Sequence, residues 1–174
     1  MKILNRGLKA EVFGALSLSL VLLGLTTAES PIADAAMNGD VESVRLLIRS
    51  GEEVNAAQGD GMTALHWAAE NGNVEMLEML LSAGANSEAV TRLGRYTPLH
   101  LASKMGVESS VISLLNYGAE VNPETTTGAT TPLHFAAASG NVQAVRALLE
   151  HGAEVDAQEL QWDQTPLMFA AARN

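Results

Sequence analysis

A four-residue motif that returns every 34 residues constrains the fold of this chain more than any other feature. The motif reads Thr-Ala-Leu-His from Thr63, Thr-Pro-Leu-His from Thr97 and from Thr131, and Thr-Pro-Leu-Met from Thr165. A fixed period along most of the chain is the signature of stacked, equivalent units. The motif therefore belongs to an architecture before it belongs to an active site.

The motif predicts the start of a short helix. Thr97 can act as the N-cap because its hydroxyl accepts a hydrogen bond from an exposed backbone N–H. Pro98 suits the first helical position, where the missing N–H would have no intrahelical partner. Small residues follow, such as Ala68-Ala69, and keep this helix thin enough for the next copy to approach. A glycine then ends it, at Gly39, Gly72, Gly106 and Gly140.

A second, amphipathic helix follows in each copy. Leu77, Leu80 and Leu81 are spaced by three and then one residue, which places all three on one helical face. A second glycine, Gly84, comes twelve residues after Gly72 and fits the left-handed position beyond a helix C-terminus. One helix pair cannot bury both of its faces, so stacked neighbours are expected to share one continuous core.

These residues resemble the ankyrin repeat family: the Thr-Pro-Leu-His motif, the Ala-rich helix, the glycine, Val-x-x-Leu-Leu and Gly-Ala. The resemblance implies an all-α repeat solenoid, a stack of helix-turn-helix units with projecting β-hairpin-like loops. It covers residues 29–174 as about four and a half repeats, 29–59, 60–93, 94–127, 128–161 and an incomplete 162–174.

Two positions depart from the pattern of the other copies. Glu88 stands where Asn122 and Asp156 predict an Asn or Asp, which puts the hydrogen bonding of that loop in doubt. Glu108 occupies the position held by valine at residues 74 and 142. We therefore expect the second helix of the third repeat to be its weak point.

The recurring histidine is interpreted as structural. The resemblance implies that His100 hydrogen-bonds around its own turn and across to neighbouring backbone, holding adjacent repeats in register. A shared zinc ion is disfavoured, because equivalent positions on packed helices lie roughly 8–10 Å apart while each imidazole must reach within about 2.1 Å of the metal. Met168 replaces the histidine in the last copy, which suits packing better than coordination.

Composition narrows the functional classes. The 174 residues carry a formal net charge of −10, which argues against a nucleic-acid-binding surface. The absence of cysteine excludes disulfides, thiolate catalysis and Cys-based zinc sites. The sequence has no nucleophile with a convincing base beside it and no phosphate-binding glycine loop. We predict a non-enzymatic protein without catalytic residues, metal or cofactor.

The resemblance implies a partner-binding surface along a concave groove, formed by the first helices and the tips of the projecting loops. A protein partner of unstated identity and a monomeric chain are expected. Aromatic and Arg side chains are enriched at binding hot spots, so Arg95, Tyr96 and Trp162 form the predicted centre. The candidate residues are Met62, Glu70, Asn71, Arg92, Leu93, Arg95, Tyr96, Lys104, Met105, Thr126, Thr127, Thr130, Ser139, Gln161, Trp162 and Gln164.

Four aromatic residues have two readings at this point. Trp162 either projects towards a partner or folds back over the neighbouring tip. Trp67, Phe135 and Phe169 each follow the fourth residue of the motif and could form an exposed stripe. The family usually has a framework leucine there, as at Leu101, which favours the core.

The first 28 residues are typical of a secretory signal peptide. A positively charged start (Lys2, Arg6, Lys9) precedes the apolar run 12–25, and small residues at 26–28 suit a signal peptidase. The run is shorter than the roughly 20 residues of a transmembrane helix, although an uncleaved anchor is the alternative. We expect export to the periplasm or the cell exterior, with no stable membrane association after cleavage.

The end of the sequence is interpreted as an incomplete repeat. After Thr165 the pattern of earlier copies requires a glycine and a second helix, and residues 169–174 contain neither. The runner-up to a free-standing exported scaffold is therefore the ankyrin portion of a larger exported protein, with a catalytic or effector domain beyond residue 174. Two further alternatives are a half-repeat that serves as a short cap and a purely structural spacer.

Cleavage after Ala28 is the first testable prediction. The intact mass of the protein purified from a secreting host should equal that of residues 29–174. Retention of residues 1–28, with the protein in the membrane fraction, would establish the anchor instead.

Overall fold

The computed structural model describes residues 30–172, which form helices joined by turns and long loops. The predicted signal peptide, residues 1–28, lies outside the described residues. The helices in this range are α1 (Pro31–Met37), α2 (Val41–Arg49), α3 (Ala64–Glu70), α4 (Val74–Ser82), α5 (Pro98–Met105), α6 (Glu108–Asn116), α7 (Pro132–Ser139), α8 (Val142–Glu150) and α9 (Pro166–Ala171).

The helices form two layers, which confirms the predicted all-α solenoid. The first helices of the repeats (α1, α3, α5, α7 and α9) pack one against the next as an inner layer, and α2, α4, α6 and α8 form an outer layer over them. Leucines of both layers, including Leu65, Leu77, Leu80, Leu99 and Leu114, are fully or almost fully buried between successive repeats. Within residues 30–172, no helix is long and apolar enough to cross a bilayer.

The inner helices α3, α5, α7 and α9 each begin directly after an N-cap threonine, as predicted, and α1 begins after Ser30. The Thr97 hydroxyl accepts a hydrogen bond from the His100 backbone N–H at 3.4 Å. In return, Nδ1 of the His100 ring accepts a hydrogen bond from the Thr97 backbone N–H. The same reciprocal cap forms at Thr63 and Thr131. The glycines after the outer helices have positive φ values, 88° at Gly84 for example, which confirms the predicted left-handed ends.

The buried histidines join each repeat to the loop that follows it. The Nε2 atom of His66 lies 3.0 Å from the Tyr96 carbonyl, and that of His134 lies 3.0 Å from the Gln164 carbonyl. A carbonyl oxygen can only accept, so Nε2 carries the proton. Nδ1 accepts from the backbone N–H of the capping threonine, for instance Thr63 at 3.2 Å. Both ring nitrogens are therefore used by a neutral imidazole, and the predicted structural role is confirmed.

A side-chain ladder joins the repeats at the outer loops. The Asn122 amide donates to the Gly152 carbonyl at 3.3 Å and accepts from the Glu154 N–H at 3.0 Å. Glu88, at the equivalent position, accepts from the Glu120 N–H at 3.0 Å. A carboxylate has no N–H to donate, so Glu88 supplies the accepting half of the ladder and leaves the donating half unmade.

The second helix of the third repeat lacks a side-chain cap, and Glu108 is not the cause. Glu108 is exposed in the first turn of α6, where a negative charge is favourable. The N-cap Val107 is the deficient residue, because it makes no side-chain cap. Asp40, Asn73 and Asn141 cap the other outer helices by accepting backbone N–H bonds.

The last described helix leaves an apolar groove between α8 and α9. Leu167 is 76% exposed, whereas its equivalent Leu133 is 2% exposed under the next repeat. The groove has a volume of about 600 Å³, and Val145 and Leu149 line its α8 side. In the earlier repeats, the outer helix of the following repeat covers the equivalent surface.

The first stability prediction concerns the missing cap. Val107→Asn should raise the free energy of unfolding by about 1 kcal/mol, because the asparagine side chain would accept a hydrogen bond from a backbone N–H in the first turn of α6, where valine accepts none. Chemical denaturation measures the change. The converse substitution at the equivalent position, Asn141→Val, is the control and should cost a similar amount. A neutral Val107→Asn beside a destabilised Asn141→Val would show that the valine packing outweighs the cap.

The second stability prediction concerns the loss of folding stability at acidic pH. Burial lowers the pKa of His100 from 6.5 to about 4, against the opposing effect of hydrogen bonds to the Thr130 and Pro123 carbonyls. The unfolded chain then takes up a proton at a higher pH than the native one, so stability is lost as pH falls from 6.5 towards 4. The full shift corresponds to about 3 kcal/mol. Burial lowers the pKa of His66 too, which adds in the same direction.

Urea unfolding across this pH window tests the histidine effect. His100→Met, which copies the residue at Met168, should lower stability at neutral pH and flatten its pH dependence. His151→Ala removes an exposed histidine as the control. A wild-type stability that stays constant between pH 6.5 and 4 would contradict the prediction.

Candidate functional site

The loops that connect successive repeats end in tight turns, which we call fingertips (residues 58–62, 92–96, 126–130 and 160–164). Each loop closes on itself with a backbone hydrogen bond. The Thr91 N–H donates to the Tyr96 carbonyl at 3.0 Å, and the Thr125 N–H donates to the Thr130 carbonyl at 3.2 Å. Within residues 30–172 the pairing stays below strand length, with one isolated bridge between Ala57 and Thr63. The predicted β-hairpin-like loops are thus present as turns.

Backbone hydrogen bonds also join each fingertip to its neighbour. The Arg92 N–H donates to the Asp60 carbonyl at 2.8 Å, the Thr126 N–H to the Gly94 carbonyl at 3.0 Å, and the Leu160 N–H to the Gly128 carbonyl at 2.9 Å. Each bond spans one repeat. The fingertips therefore form a continuous row. Backbone hydrogen bonds join neighbouring fingertips, and the buried histidines bond to carbonyl groups of the last three.

One fingertip position has a left-handed backbone in every copy. Gly61 occupies it in the first fingertip, and Arg95, Ala129 and Asp163 follow with φ values of 53°, 50° and 53°. Residues other than glycine adopt this region at some energetic cost. The surrounding hydrogen bonds hold the three non-glycine residues there.

A buried carboxylate organises the last fingertip. Glu159 stands where Thr91 and Thr125 use their hydroxyls, and its oxygens accept from the N–H groups of Gln161, Trp162 and Gln164 at 2.7, 2.7 and 3.2 Å. Burial would raise the pKa of Glu159, but these backbone donors outweigh it and hold the pKa below its ordinary value.

A groove of about 420 Å³ lies between the fingertips and the inner helices α3, α5 and α7. Its floor is apolar, with Met62 and Leu101 buried and Phe135 half-buried. Leu93 projects from the rim and is 84% exposed. The polar residues of the lining are Asp60, Glu70, Thr91 and Lys104. The groove thus offers an apolar floor with charged side chains at its edge.

Tyr96 supports the wall of this groove. Its ring covers Gly94 so closely that a Cβ atom there would lie 2.4 Å from the ring. The same ring contacts His100 and Phe135, with ring centroids 5.9 Å apart in both cases. Tyr96 is half-buried, so truncating it would disturb the fold as well as the surface.

The predicted binding residues fall into three groups by exposure. Met62 is 8% exposed and belongs to the core and the groove floor. Glu70, Tyr96, Thr130, Ser139 and Gln164 are half-buried. The exposed ones are Asn71, Arg92, Leu93, Arg95, Lys104, Met105, Thr126, Thr127, Gln161 and Trp162.

Two predicted binding residues also serve the scaffold. The Asn71 amide donates to the Ala36 carbonyl of the preceding repeat at 3.1 Å. The Ser139 hydroxyl donates to the Ala136 carbonyl at 2.8 Å within its own helix. Trp162, in contrast, is 70% exposed and does not fold back over the neighbouring tip.

Leu101 and Phe135 line the groove but were not among the predicted site residues. The sequence carries a usable signal for Phe135, the aromatic residue after the motif. Trp67, Phe135 and Phe169 are all half-buried, so they belong neither fully to the core nor to a fully exposed aromatic stripe. The Trp67 indole donates to the Gln58 side chain of the first fingertip at 2.8 Å.

The recurring histidines, which could carry chemistry, have structural partners here. The three motif histidines are buried among threonine and carbonyl groups. Within residues 30–172, no three His, Asp or Glu side chains are grouped so as to hold a metal ion. Nothing in this arrangement points to enzymatic activity.

Comparison with known proteins gives matches along nearly the whole described range. Ankyrin repeats in three copies match residues 32–125, and ankyrin repeats in many copies match residues 133–174. Human ankyrin repeat domain-containing protein 39 is 40% identical over 63 residues, 36% of this chain and 34% of that protein. Myotrophin of Xenopus tropicalis is 44% identical over 52 residues, 30% of this chain and 44% of myotrophin.

The similarity extends to proteins of different size. The cell division cycle-related protein res1/sct1 of Schizosaccharomyces pombe is 60% identical over 42 residues, 24% of this chain and 7% of that protein. The chain thus spans less than half the length of each of these relatives. The repeated caps, the histidine bonds between repeats and the matches over 32–125 and 133–174 agree: this chain belongs to the ankyrin repeat family.

Proposed function

We propose that this chain is an exported, non-enzymatic scaffold that binds a protein partner through its groove and fingertips. The observation that carries the proposal is the exposure of Leu93 and Trp162 at the tips of loops that backbone hydrogen bonds close and join to their neighbours. Exposed large apolar side chains on a rigid edge favour protein recognition, because exposed apolar patches mark interaction sites and tryptophan is enriched among the residues that dominate interface energetics.

The tied fingertips also favour binding on entropic grounds. Ordering a flexible loop when a partner binds costs free energy, and a loop that is already ordered avoids this cost. Functional residues are commonly carried on loops that a rigid framework positions. In this proposal the inner helices provide the framework and the fingertips provide the variable contacts, and the chain acts as a monomer.

The export part of the proposal is supported by the sequence alone. The order of a basic start, a short apolar run and small residues over 1–28 is that of a cleavable signal. A chain without cysteine needs neither an oxidising nor a reducing compartment, so the repeats would fold equally well outside the cytoplasm.

The binding test uses truncation of exposed tip residues. Leu93→Ala and Trp162→Ala should each weaken capture of the partner, identified by mass spectrometry after affinity purification on the exported chain. Both should change the free energy of unfolding by no more than about 0.5 kcal/mol, because the side chains are exposed. Leu46→Ala removes a leucine that is 62% exposed on the outer helix α2 and is the matched control.

The outcomes separate the surfaces clearly. A partner lost with the two fingertip variants and retained with Leu46→Ala supports binding through the groove edge. A partner retained by both fingertip variants, or lost only with the Leu46 variant, would place the interface on the outer helices and contradict the proposal. A chain with no saturable partner would be a spacer.

A further inference from the structure

We propose that the groove beside the second fingertip (92–96) selects a peptide segment with one large apolar side chain flanked by acidic residues. The apolar side chain would enter the groove of about 420 Å³, and the carboxylates would face Arg92 and Arg95. This inference rests on the proposed function, since it names the chemistry of the partner at the same surface.

The first argument is the placement of positive charge. The chain has 20 acidic side chains against 10 Lys and Arg. Between Arg49 and Arg146 the only Lys or Arg residues are Arg92, Arg95 and Lys104. Arg92 and Arg95 lie on the second fingertip (92–96), and Lys104 lies at the end of α5. An otherwise acidic stretch therefore concentrates its cations on one fingertip and at the end of α5. Lys104 and Leu93 of this region line the groove, as do the acidic Asp60 and Glu70.

The second argument is that the two arginines are not neutralised within the protein. Lys104 Nζ lies 3.9 Å from Glu70 Oε1, a long contact across the groove. The Asp60 carboxylate, on the neighbouring fingertip, accepts the Met62 N–H at 2.9 Å. In the part of the chain that the structure describes, no ion pair involves Arg92 or Arg95. Their charges remain available to an approaching carboxylate.

The third argument is the side chain between them. The fingertip reads Arg92-Leu93-Gly94-Arg95, and Leu93 lines the groove while being 84% exposed. A purely acidic partner would leave this leucine in water, and a purely apolar one would desolvate two arginines without a counter-charge. A segment that combines an apolar anchor with carboxylates satisfies both.

The acidic remainder of the surface would sharpen this selection. Like charges repel an acidic segment from most of the stack, and the cationic edge attracts it, so electrostatics would favour one orientation over others. The contribution should weaken as salt is added, because exposed charges are screened.

The test is selection from a library of random short peptides displayed on phage, with the purified full chain as bait. The enriched peptides, made synthetically with a fluorescent label, are then titrated against variants. Arg92→Glu with Arg95→Glu should weaken binding about tenfold. Arg49→Glu with Arg146→Glu changes the net charge equally on the outer helices α2 and α8, and should leave affinity unchanged. Leu93→Asp should abolish binding.

Each result has a distinct meaning. Enriched peptides that share an apolar residue beside acidic ones, and that lose affinity with the fingertip pair only, support the inference. Peptides that need Leu93 but carry no acidic preference would overturn it while leaving the proposed function intact. Equal losses in both double variants would reduce the effect to overall charge and overturn it too. Peptides indifferent to every fingertip variant would count against both proposals, and a library without enrichment would overturn the peptide inference alone.

Discussion

The hydrogen bond from each buried histidine to the loop of the next repeat is the interaction on which the remaining structure depends. It closes the turn at its own threonine through Nδ1 and holds the following loop through Nε2, 3.0 Å from the Tyr96 carbonyl in the case of His66. One neutral ring thereby fixes the position of the following fingertip relative to the inner helix of its own repeat. Loss of that ring would remove the bond between the inner helix and the loop, and would leave the Tyr96 carbonyl with the Thr91 N–H as its remaining donor.

Much of the fold is predictable from the sequence because the residues that start and stop helices are local in effect. Thr97 and Pro98 start one helix, and Gly84 ends another, wherever the chain places them. The position of Glu108 was misread because sequence spacing does not show that the first residue of the outer helix faces solvent. The missing cap at Val107 could have been found by comparing the residues that follow the first glycine of each copy.

The candidate site was less accessible to sequence reasoning because the groove is assembled from three repeats. The resemblance correctly drew attention to the loop tips, where Leu93 and Trp162 are exposed. It could not show that Tyr96 packs on Gly94 and His100, or that Phe135 of the following repeat completes the floor. The contact between Tyr96 and Phe135 joins residues about 40 positions apart in sequence, and only the stacking of helices brings them together.

The left-handed fingertip position shows how such a surface can diversify. Arginine, alanine and aspartate adopt nearly the same φ at Arg95, Ala129 and Asp163, so the hydrogen-bonded loop dictates the backbone. Arg95 and Asp163 are exposed and Ala129 is buried, so the side chain is free to change in size and charge in the second and fourth fingertips. Gly61 is the exception, since a Cβ there would lie 2.8 Å from the Arg92 backbone nitrogen. Natural variation in recognition could therefore accumulate at this position in the second and fourth fingertips without refolding them, while the first fingertip must keep its glycine to let the second one approach.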